Sequence, residues 1–291
     1  MSDEERKNRS QLSLTPHSSI LIPPKRRFGQ NFLVDERVVE HIVREVSPRV
    51  DETIIEIGPG RGALTSHLVE RAGRLVAIEF DRDLIPQLRE KFGTQVNFTL
   101  IEGDALVVDL CQIIEPAKQA RLVANLPYYI STAILQRLIE QRTCLTEMVL
   151  MLQREVVERI TAPPAASERG FLSVLVEAYC EAETLFDVPP GAFRPAPKVW
   201  SAVVRLRVRP EMALNVTDEN LLWGVVSAGF AQRRKTIFNN LRHAPSNLRS
   251  RIEKAGGAAS VLEGAGIAAQ RRAETLTLEE WGRHARSLQS L

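Results

Sequence analysis

Between residues 53 and 153 the sequence alternates two kinds of apolar pattern. Short apolar runs typical of buried strands occur at 53–58, 74–80, 96–103, 121–126 and 147–153. Segments with the three- and four-residue apolar spacing of amphipathic helices lie between them, at 63–72, 84–92 and 132–141. Strands that alternate with helices in this way predict a parallel sheet with helices on both faces, which is the α/β class.

Beyond this region the pattern predicts a sheet edge and then a helical unit. Segments 181–188 and 201–208 have strand character with no long helix between them, so we expect an antiparallel hairpin at one edge. From about residue 210 onward the apolar spacing is helical. We therefore expect three parts: a disordered or loosely attached tail over 1–24, an α/β domain over 25–209 and a small all-α domain over 210–291.

The composition predicts a globular chain without a membrane segment. Apolar residues make up 44% of the 291 residues, which is enough for a sizeable core. No apolar run reaches the roughly 18 residues that a membrane span needs, and the N-terminus is charged, so we expect a cytoplasmic protein. The cysteines Cys111, Cys144 and Cys180 lie far apart among apolar neighbours. We interpret them as free buried thiols rather than as a disulfide or zinc ligands, and we expect no metal site.

The first strand-like run leads into a glycine-rich turn, "EIGPGRGAL". Gly58 and Gly60 allow a tight turn and a close approach of the backbone to a ligand, which is typical of nucleotide-binding loops. By itself this motif fits a nicotinamide dinucleotide as well as S-adenosylmethionine. Glu56, two residues before Gly58, favours the second, because a carboxylate would repel a pyrophosphate but suit a cationic methionine group.

Acidic residues end the next two strand-like runs. Glu79 follows Gly60 by 19 residues, at the position where an acid accepts hydrogen bonds from a ribose diol. Asp104, followed by Ala105, ends the third run and is placed to accept a hydrogen bond from an adenine amine. Each acid could simply cap a helix. Together they predict an adenosine pocket at the carboxyl ends of the strands, and we take S-adenosylmethionine as the cofactor.

The fourth strand-like run ends in "LVANLPYY", which places Asn125 beside the reactive methyl group. An exocyclic adenine amine is a weak nucleophile, since its lone pair is delocalised into the ring. The side-chain carbonyl of Asn125 and the backbone carbonyl of Leu126 could accept its two hydrogens and direct the lone pair at the methyl carbon. Pro127 would hold the turn and Tyr128 would stack on the base, whereas Tyr129 is expected in the core. This chemistry requires neither a metal ion nor a strong base.

These motifs together resemble the ribosomal RNA adenine dimethyltransferase family. "NLPYY", "EIGPGRGALT", "AIEFD" and "EGDAL" occur in the family's order, and "KRRFGQNFLVD", "FRPAPKVWSAVVRL" and "FAQRRKTIFNNL" extend the likeness from about residue 25 to 285. The pattern is most similar to the branch that dimethylates two adjacent adenosines near the 3′ end of bacterial 16S ribosomal RNA. The resemblance implies a Rossmann-like S-adenosylmethionine-dependent methyltransferase sheet with a helical RNA-binding domain, acting as a monomer on the small ribosomal subunit.

The resemblance also implies a role for individual residues. The residues expected to contact the cofactor are Gln30, Asn31, Leu33, Glu56, Gly58, Gly60, Glu79, Asp104, Ala105 and Asn125. The residues expected at the target base are Asn125, Leu126, Pro127, Tyr128 and Phe193. Tyr128 and Phe193 would enclose the base between their rings, with a buried core position as the alternative for Phe193.

Positive charge is concentrated toward the C-terminal end. From residue 205 to 291 there are 14 Arg or Lys against 8 Asp or Glu, although the whole chain has a net charge of only +2. Two clusters stand out, Lys25-Arg26-Arg27 and Arg233-Arg234-Lys235, and we expect both to contact RNA phosphates rather than only solvent. The loop over 161–171 is expected to border the target site and to become ordered on RNA binding.

Three other functions remain open at this point. A sister enzyme that methylates one adenosine of large-subunit ribosomal RNA and confers antibiotic resistance would share the same core motifs. A non-catalytic assembly factor could keep the fold, although it would not need Asn125 in this geometry. Methylation of a protein amide, which poses the same chemical problem, is the most distant alternative, since the basic flanks favour RNA.

Overall fold

The computed structural model describes residues 30–289. The N-terminal tail over 1–24 and the basic cluster Lys25-Arg26-Arg27 lie outside the described residues, so both remain predictions. Within 30–289, no helix is both long enough and apolar enough to cross a membrane.

Strands and helices alternate through the first part of the chain, and helices alone follow. The strands are β1 (Phe32–Leu33), β2 (Thr53–Ile57), β3 (Arg74–Glu79), β4 (Phe98–Glu102), β5 (Ala120–Asn125), β6 (Leu145–Gln153), β7 (Cys180–Val188), β8 (Phe193–Arg194) and β9 (Ser201–Val208). The helices are α1 (Glu36–Val46), α2 (Ala63–Val69), α3 (Ile85–Phe92), α4 (Leu110–Ile113), α5 (Ser131–Glu140), α6 (Arg154–Ile160), α7 (Phe171–Tyr179), α8 (Glu219–Gly229), α9 (Ile237–Arg242), α10 (Ser246–Lys254), α11 (Gly257–Gly264) and α12 (Leu278–Arg286).

Seven of the strands form one mixed sheet in the order β4-β3-β2-β5-β6-β9-β7. Strands β4, β3, β2, β5 and β6 run parallel to one another, whereas β9 pairs antiparallel with both β6 and β7. This confirms the α/β class and the antiparallel edge. The sequence pattern did not predict the separate two-stranded ribbon, in which Phe32 pairs with Arg194 and Leu33 with Phe193.

Apolar side chains on the two faces of the sheet pack against different helices. Ile54, Val123 and Val203 project to one face, where α1, α2 and α3 cover them. The alternate residues on the same strands project to the opposite face, which α4 to α7 cover. The central strands are therefore apolar on both faces, as expected for a covered parallel sheet.

Helices α8 to α12 pack around a core of their own. Trp281 is fully buried at its centre, with Leu222 and Ile237 also buried in the same cluster. The junction with the α/β domain combines apolar and polar contacts: Val174 of α7 belongs to this same core, and the indole Nε1 of Trp223 donates to the hydroxyl of Tyr179, which in turn donates to Glu219. The helical pattern expected after residue 210 is present as this C-terminal unit.

The prediction of three free thiols is wrong for two of the cysteines. Cys111 and Cys144 form a disulfide with their Cα atoms 5.4 Å apart, and Cys180 is buried and free. The cysteine pair is 33 residues apart in sequence. Helix α4 nevertheless lies directly against the turn before β6, because the buried Gln141 side chain accepts from the backbone N–H of Leu110 and donates to the carbonyl of Val108.

Candidate active site

A cavity of about 310 Å³ lies at the carboxyl ends of the central parallel strands. This is the position at which open α/β sheets bind ligands. The predicted site residues that line it are Gln30, Asn31, Gly58, Gly60, Glu79, Asp104, Ala105, Asn125, Leu126, Pro127 and Tyr128. The residues that the sequence predicted at the strand ends therefore lie together around one cavity.

The glycine turn after β2 depends on backbone conformations that glycine adopts freely. Gly58 and Gly60 have φ angles of +68° and +60°, in the left-handed region that side chains disfavour. A Cβ atom on Gly60 would lie 3.2 Å from the ring of Phe32, and one on Gly58 would lie 3.9 Å from the carbonyl oxygen of Asn125. The absent side chains leave the backbone itself as part of the cavity wall.

Glu79 is buried at the end of β3 and is anchored by two backbone groups. The N–H of Gly60 donates to one carboxylate oxygen at 3.1 Å, and the N–H of Asp81 donates to the other at 2.8 Å. Burial raises the pKa of Glu79, and these backbone hydrogen bonds partly oppose that rise. Since each carboxylate oxygen has a further lone pair, Glu79 retains acceptor capacity toward the cavity.

Asp104 organises the loop that follows β4. Its Oδ1 accepts from the backbone N–H of Leu106 at 2.9 Å, and its carbonyl oxygen accepts from the N–H groups of Val107 and Val108. The turn presents Asp104 and the buried Ala105 to the cavity, next to Glu79. A carboxylate and a small apolar surface side by side suit an adenine amine and the face of its ring.

Glu56 does not lie where the sequence argument placed it. It is only 1% exposed, it does not line the cavity, and its Oε2 accepts from the hydroxyl of Thr65 at 2.7 Å. Burial, with a smaller contribution from the charge of Glu79, raises the pKa of Glu56 to about 8. The carboxyl is therefore mainly protonated at neutral pH, and the argument that its charge selects the cofactor is wrong.

Asn125 ends β5 and its amide is oriented by a hydrogen bond. The Nδ2 group donates to the backbone carbonyl of Asn31 at 3.3 Å. Because only the amide nitrogen can donate, this contact assigns the side-chain oxygen, Oδ1, as the free acceptor of the amide. Leu126 then bonds through its N–H to the carbonyl of Met151, and the carbonyl of Pro127 accepts from Ile130, which closes the turn.

The structure places both tyrosines at the cavity, although only Tyr128 was expected there. Tyr128 is half-buried, and its hydroxyl lies 2.6 Å from the hydroxyl of Ser201 at the start of β9. Its carbonyl accepts from Ser131, so both ends of the residue are held while its side chain lines the cavity. Tyr129, expected in the core, is instead 58% exposed and also lines the cavity.

Leu33 and Phe193 are buried core residues and do not line the cavity. Phe193 is only 1% exposed, and the β1–β8 pairing places it opposite Leu33 within the core that faces α1 and α2. Neither the side chain of Leu33, expected at the cofactor, nor that of Phe193, expected at the base, faces the cavity in this structure. Phe32, which precedes Leu33 in β1, does line the cavity.

The cluster Arg233-Arg234-Lys235 is exposed in the turn before α9 rather than in the helix itself. Arg233 donates to the carbonyl of Ser167, so this cluster contacts the loop over 161–171. That loop has contacts of its own: the buried Arg169 donates to the carbonyl of Ala162 and pairs with Glu177 at 2.6 Å. These contacts hold the loop within the chain, and its ordering by RNA stays a prediction.

Three aromatic side chains line the cavity although the sequence pattern did not predict them there. Phe32, Phe80 and Tyr129 all line it, and Phe80 is 55% exposed although it follows an apolar strand. A signal for Phe80 was present, since it comes directly after Glu79 at a strand end. Aromatic residues beside a polar anchor are typical of sites that bind flat rings.

Comparison with known proteins agrees with this geometry. A family model described as ribosomal RNA adenine dimethylase matches residues 24–283. A relative from Hahella chejuensis, named ribosomal RNA small subunit methyltransferase A, is 48% identical over 218 residues, which cover 75% of this chain and 80% of the relative. A relative of the same name from Clostridium botulinum (strain Kyoto / Type A2) is 43% identical over 258 residues, covering 89% of this chain and 91% of the relative.

Two solved structures share the architecture over most of the chain. The crystal structure of the 23S rRNA methyltransferase ErmE has a TM-score of 0.66 and 28% identity, and the match covers 89% of this chain and all of that one. A dimethyladenosine transferase from Plasmodium falciparum has a TM-score of 0.71 at 23% identity, covers 87% and 95% of the two chains, and shows likeness of fold. The chain therefore belongs to the ribosomal RNA adenine dimethylase family.

Proposed function

We propose that this protein transfers methyl groups from S-adenosylmethionine to the exocyclic amines of two adjacent adenosines near the 3′ end of 16S ribosomal RNA. The observation that carries the proposal is the row of Glu79, Asp104 and Asn125 around one cavity at the ends of successive strands of the fold. The names of the relatives support the small subunit as the substrate.

The cavity lining suits S-adenosylmethionine. Glu79 offers acceptors for two ribose hydroxyls, and Asp104 offers an acceptor for the adenine amine. Gly58, Gly60 and Asn31 line the same cavity, where their backbone would border the methionine part. When bound, the cofactor supplies an electrophilic methyl group on a sulfonium, which is a good leaving group.

Asn125 and its turn would position the amine of the target adenosine. The Oδ1 atom of Asn125 and the carbonyl of Leu126 would each accept one hydrogen of the amine, so that its lone pair points away from both carbonyls. With the cofactor bound to supply the methyl group, Asn125 and Leu126 would hold the amine toward it, and the amine would give up its proton to solvent after the transfer. The contribution of the chain is orientation, which is worth several orders of magnitude in rate.

Tyr128 would stack on the extruded base. Its hydroxyl is held at Ser201 and its carbonyl at Ser131, so the ring enters the complex with little loss of rotamer freedom. Extrusion of the adenosine is required because the amine cannot reach the cavity from within a helix. Tyr129, exposed at the same wall, extends the aromatic surface.

The helical domain over 210–291 would hold the RNA outside the cavity. Arg233, Arg234 and Lys235 are exposed in one turn, and Lys25, Arg26 and Arg27 would complete the phosphate contacts from the N-terminal side. One chain carries the cavity and these charges, so we propose that it acts as a monomer. We place it in the cytoplasm because its proposed substrate, the ribosomal subunit, is assembled there.

A large-subunit substrate is the second candidate, because the ErmE crystal structure matches this chain over most of its length. Separated small and large ribosomal subunits that lack these methyl groups are incubated with the protein and methyl-labelled cofactor. We expect label in two adjacent adenosines of the small-subunit RNA. Label found only in the large-subunit RNA would contradict the proposal.

The role of Asn125 is tested with Asn125→Ala, and Asn247→Ala on the exposed surface of the helical domain serves as the matched control. We expect Asn125→Ala to keep the RNA affinity and to lose transfer by about 100-fold or more, because the amine is no longer oriented. The control should transfer as the wild type does. Wild-type transfer rates in Asn125→Ala would refute the assigned role.

A further inference from the structure

The segment Arg194–Trp200 is a second surface beside the cavity. Three tryptophans occur in the chain: Trp281 is fully buried and Trp223 is partly buried, whereas Trp200 is 48% exposed. Val199, next to it, is 43% exposed. The indole and the adjacent valine are exposed together and form a small apolar patch, which suits a flat partner such as a base.

Both ends of the segment are bonded to residues of the cavity wall. At its start, Arg194 pairs with Phe32, which lines the cavity. At its end, Ser201 follows Trp200 and its hydroxyl meets the hydroxyl of Tyr128 at 2.6 Å. The carbonyl of Trp200 also accepts from the N–H of Arg154 at 3.0 Å. The segment is therefore an attached rim of the site rather than a distant loop.

Among the residues that the structure describes, the cations of this segment have no protein partner. Arg194 and Lys198 are exposed, and within residues 30–289 neither makes an ion pair or a side-chain hydrogen bond. By contrast, Arg205 and Arg207 on the following strand, and Arg209 directly after it, all pair with glutamates. Pro195 and Pro197 restrict the backbone between the two cations, which lowers the entropy lost when a ligand binds.

We propose that Trp200 stacks on a base next to the target adenosine while Arg194 and Lys198 contact the flanking phosphates. The inference rests on the proposed function, since extrusion of one adenosine unstacks its neighbour and leaves that base in need of a new surface. An exposed indole beside two unpaired cations is the combination that binds single-stranded RNA by stacking and charge.

The surface is tested by RNA binding that is measured separately from transfer. A single-stranded RNA with the target sequence is titrated into wild type, Trp200→Ala and Trp200→Phe, and cofactor binding is measured in parallel. We expect Trp200→Ala to lose about tenfold in RNA affinity and to raise KM similarly, with kcat nearly unchanged and cofactor affinity unaltered. Trp200→Phe should restore most of the affinity, because a phenyl ring also stacks.

Matched controls lie at the opposite ends of the strands. Val50, exposed before β2, and Lys118, exposed before β5, give Val50→Ala and Lys118→Ser. Arg194→Ser and Lys198→Ser should each reduce the slope of log affinity against log salt by about one, and Lys118→Ser should leave it unchanged. Tryptophan fluorescence should be quenched by RNA in the wild type and not in Trp200→Phe.

Each result has a separate meaning. Wild-type RNA affinity in Trp200→Ala would overturn this inference, even if methylation of the small subunit is confirmed. A loss of activity on intact subunits without any loss on free RNA would also overturn it, because the patch would then contact a ribosomal protein. Failure of the wild type to methylate small-subunit RNA would refute the proposed function instead.

Discussion

Replacement of Glu56 by glutamine should stabilise the protein at neutral pH. The Glu56 carboxyl is buried beneath the glycine turn with one hydrogen bond from Thr65, and its pKa is raised to about 8, chiefly by burial. Glutamine has nearly the shape of a protonated glutamic acid, and its carbonyl oxygen can accept the same bond from Thr65. Glu56→Gln therefore removes the titration without removing the contact.

The size of the effect follows from the two pKa values. In the unfolded chain Glu56 loses its proton near the ordinary value of 4.5, whereas in the folded chain it keeps the proton until about pH 8. Between these values the unfolded state binds fewer protons, so stability falls by roughly 1.4 kcal/mol for each unit that the pH rises. At pH 7 the accumulated cost is roughly 3 kcal/mol, which Glu56→Gln should recover.

The assay is equilibrium unfolding in urea at a series of pH values from about 5 to 9. The wild-type profile should slope downward between pH 5 and 8 relative to that of Glu56→Gln, and the two should run parallel above pH 8.

Glu79→Gln is the contrasting variant: both oxygens of Glu79 accept backbone N–H groups, and an amide nitrogen would oppose one of them. It should lose stability and cofactor affinity together.

Two results would refute this reasoning. Profiles of the wild type and Glu56→Gln that stay parallel between pH 5 and 8 would show that Glu56 does not titrate as its burial requires. A large loss of cofactor affinity in Glu56→Gln would show that the carboxylate contacts the cofactor, as the sequence argument held and the cavity lining does not support.

Two further predictions concern the glycine turn and the cysteines. Gly60→Ala should weaken cofactor binding, because its φ of +60° is strained for alanine and the new Cβ would lie 3.2 Å from the Phe32 ring. Calorimetric titration with the cofactor measures the loss. Gly264→Ala is the control, because a Cβ atom at Gly264 has no atom within 4 Å. In oxidised, denatured protein, thiol titration should detect one cysteine before reduction and three after it. Reduction should lower the free energy of unfolding by about 3 kcal/mol, and unchanged stability would contradict the cross-link.

The parts of the site that the sequence predicted are those that follow from strand order alone. Glu79 and Asn125 end parallel strands and Asp104 follows the end of β4, and the ends of parallel strands meet at one edge, so their identity and spacing were sufficient to place them together. Phe193 and Leu33 lie instead in a ribbon of two-residue strands, which is too short to leave any periodic signal. Their burial could not be separated from a role at the surface.

Other errors arose because desolvation and packing are properties of the folded molecule. The identity of residue 56 shows that a carboxyl group is present, but its protonation state depends on its complete burial under the turn. Tyr128 and Tyr129 are adjacent in a turn, and the sequence cannot tell which ring is held by Ser201 and which faces solvent. Cys111 and Cys144 meet only because Gln141 fixes helix α4 in place.

The cavity and its rim differ in what they can contribute, because the polar groups of the cavity are fixed by the backbone. Glu79 is held by Gly60, Asp104 by Leu106 and Asn125 by Asn31, so the polar groups of the cavity are positioned by backbone before any ligand arrives. Such pre-organisation serves the methyl transfer, which needs one geometry for any adenosine. It cannot distinguish one adenosine from another, because every adenosine presents the same amine. Under the proposed function, selection of the target therefore requires contacts outside the cavity, and the rim and the helical domain are the surfaces that we propose for them.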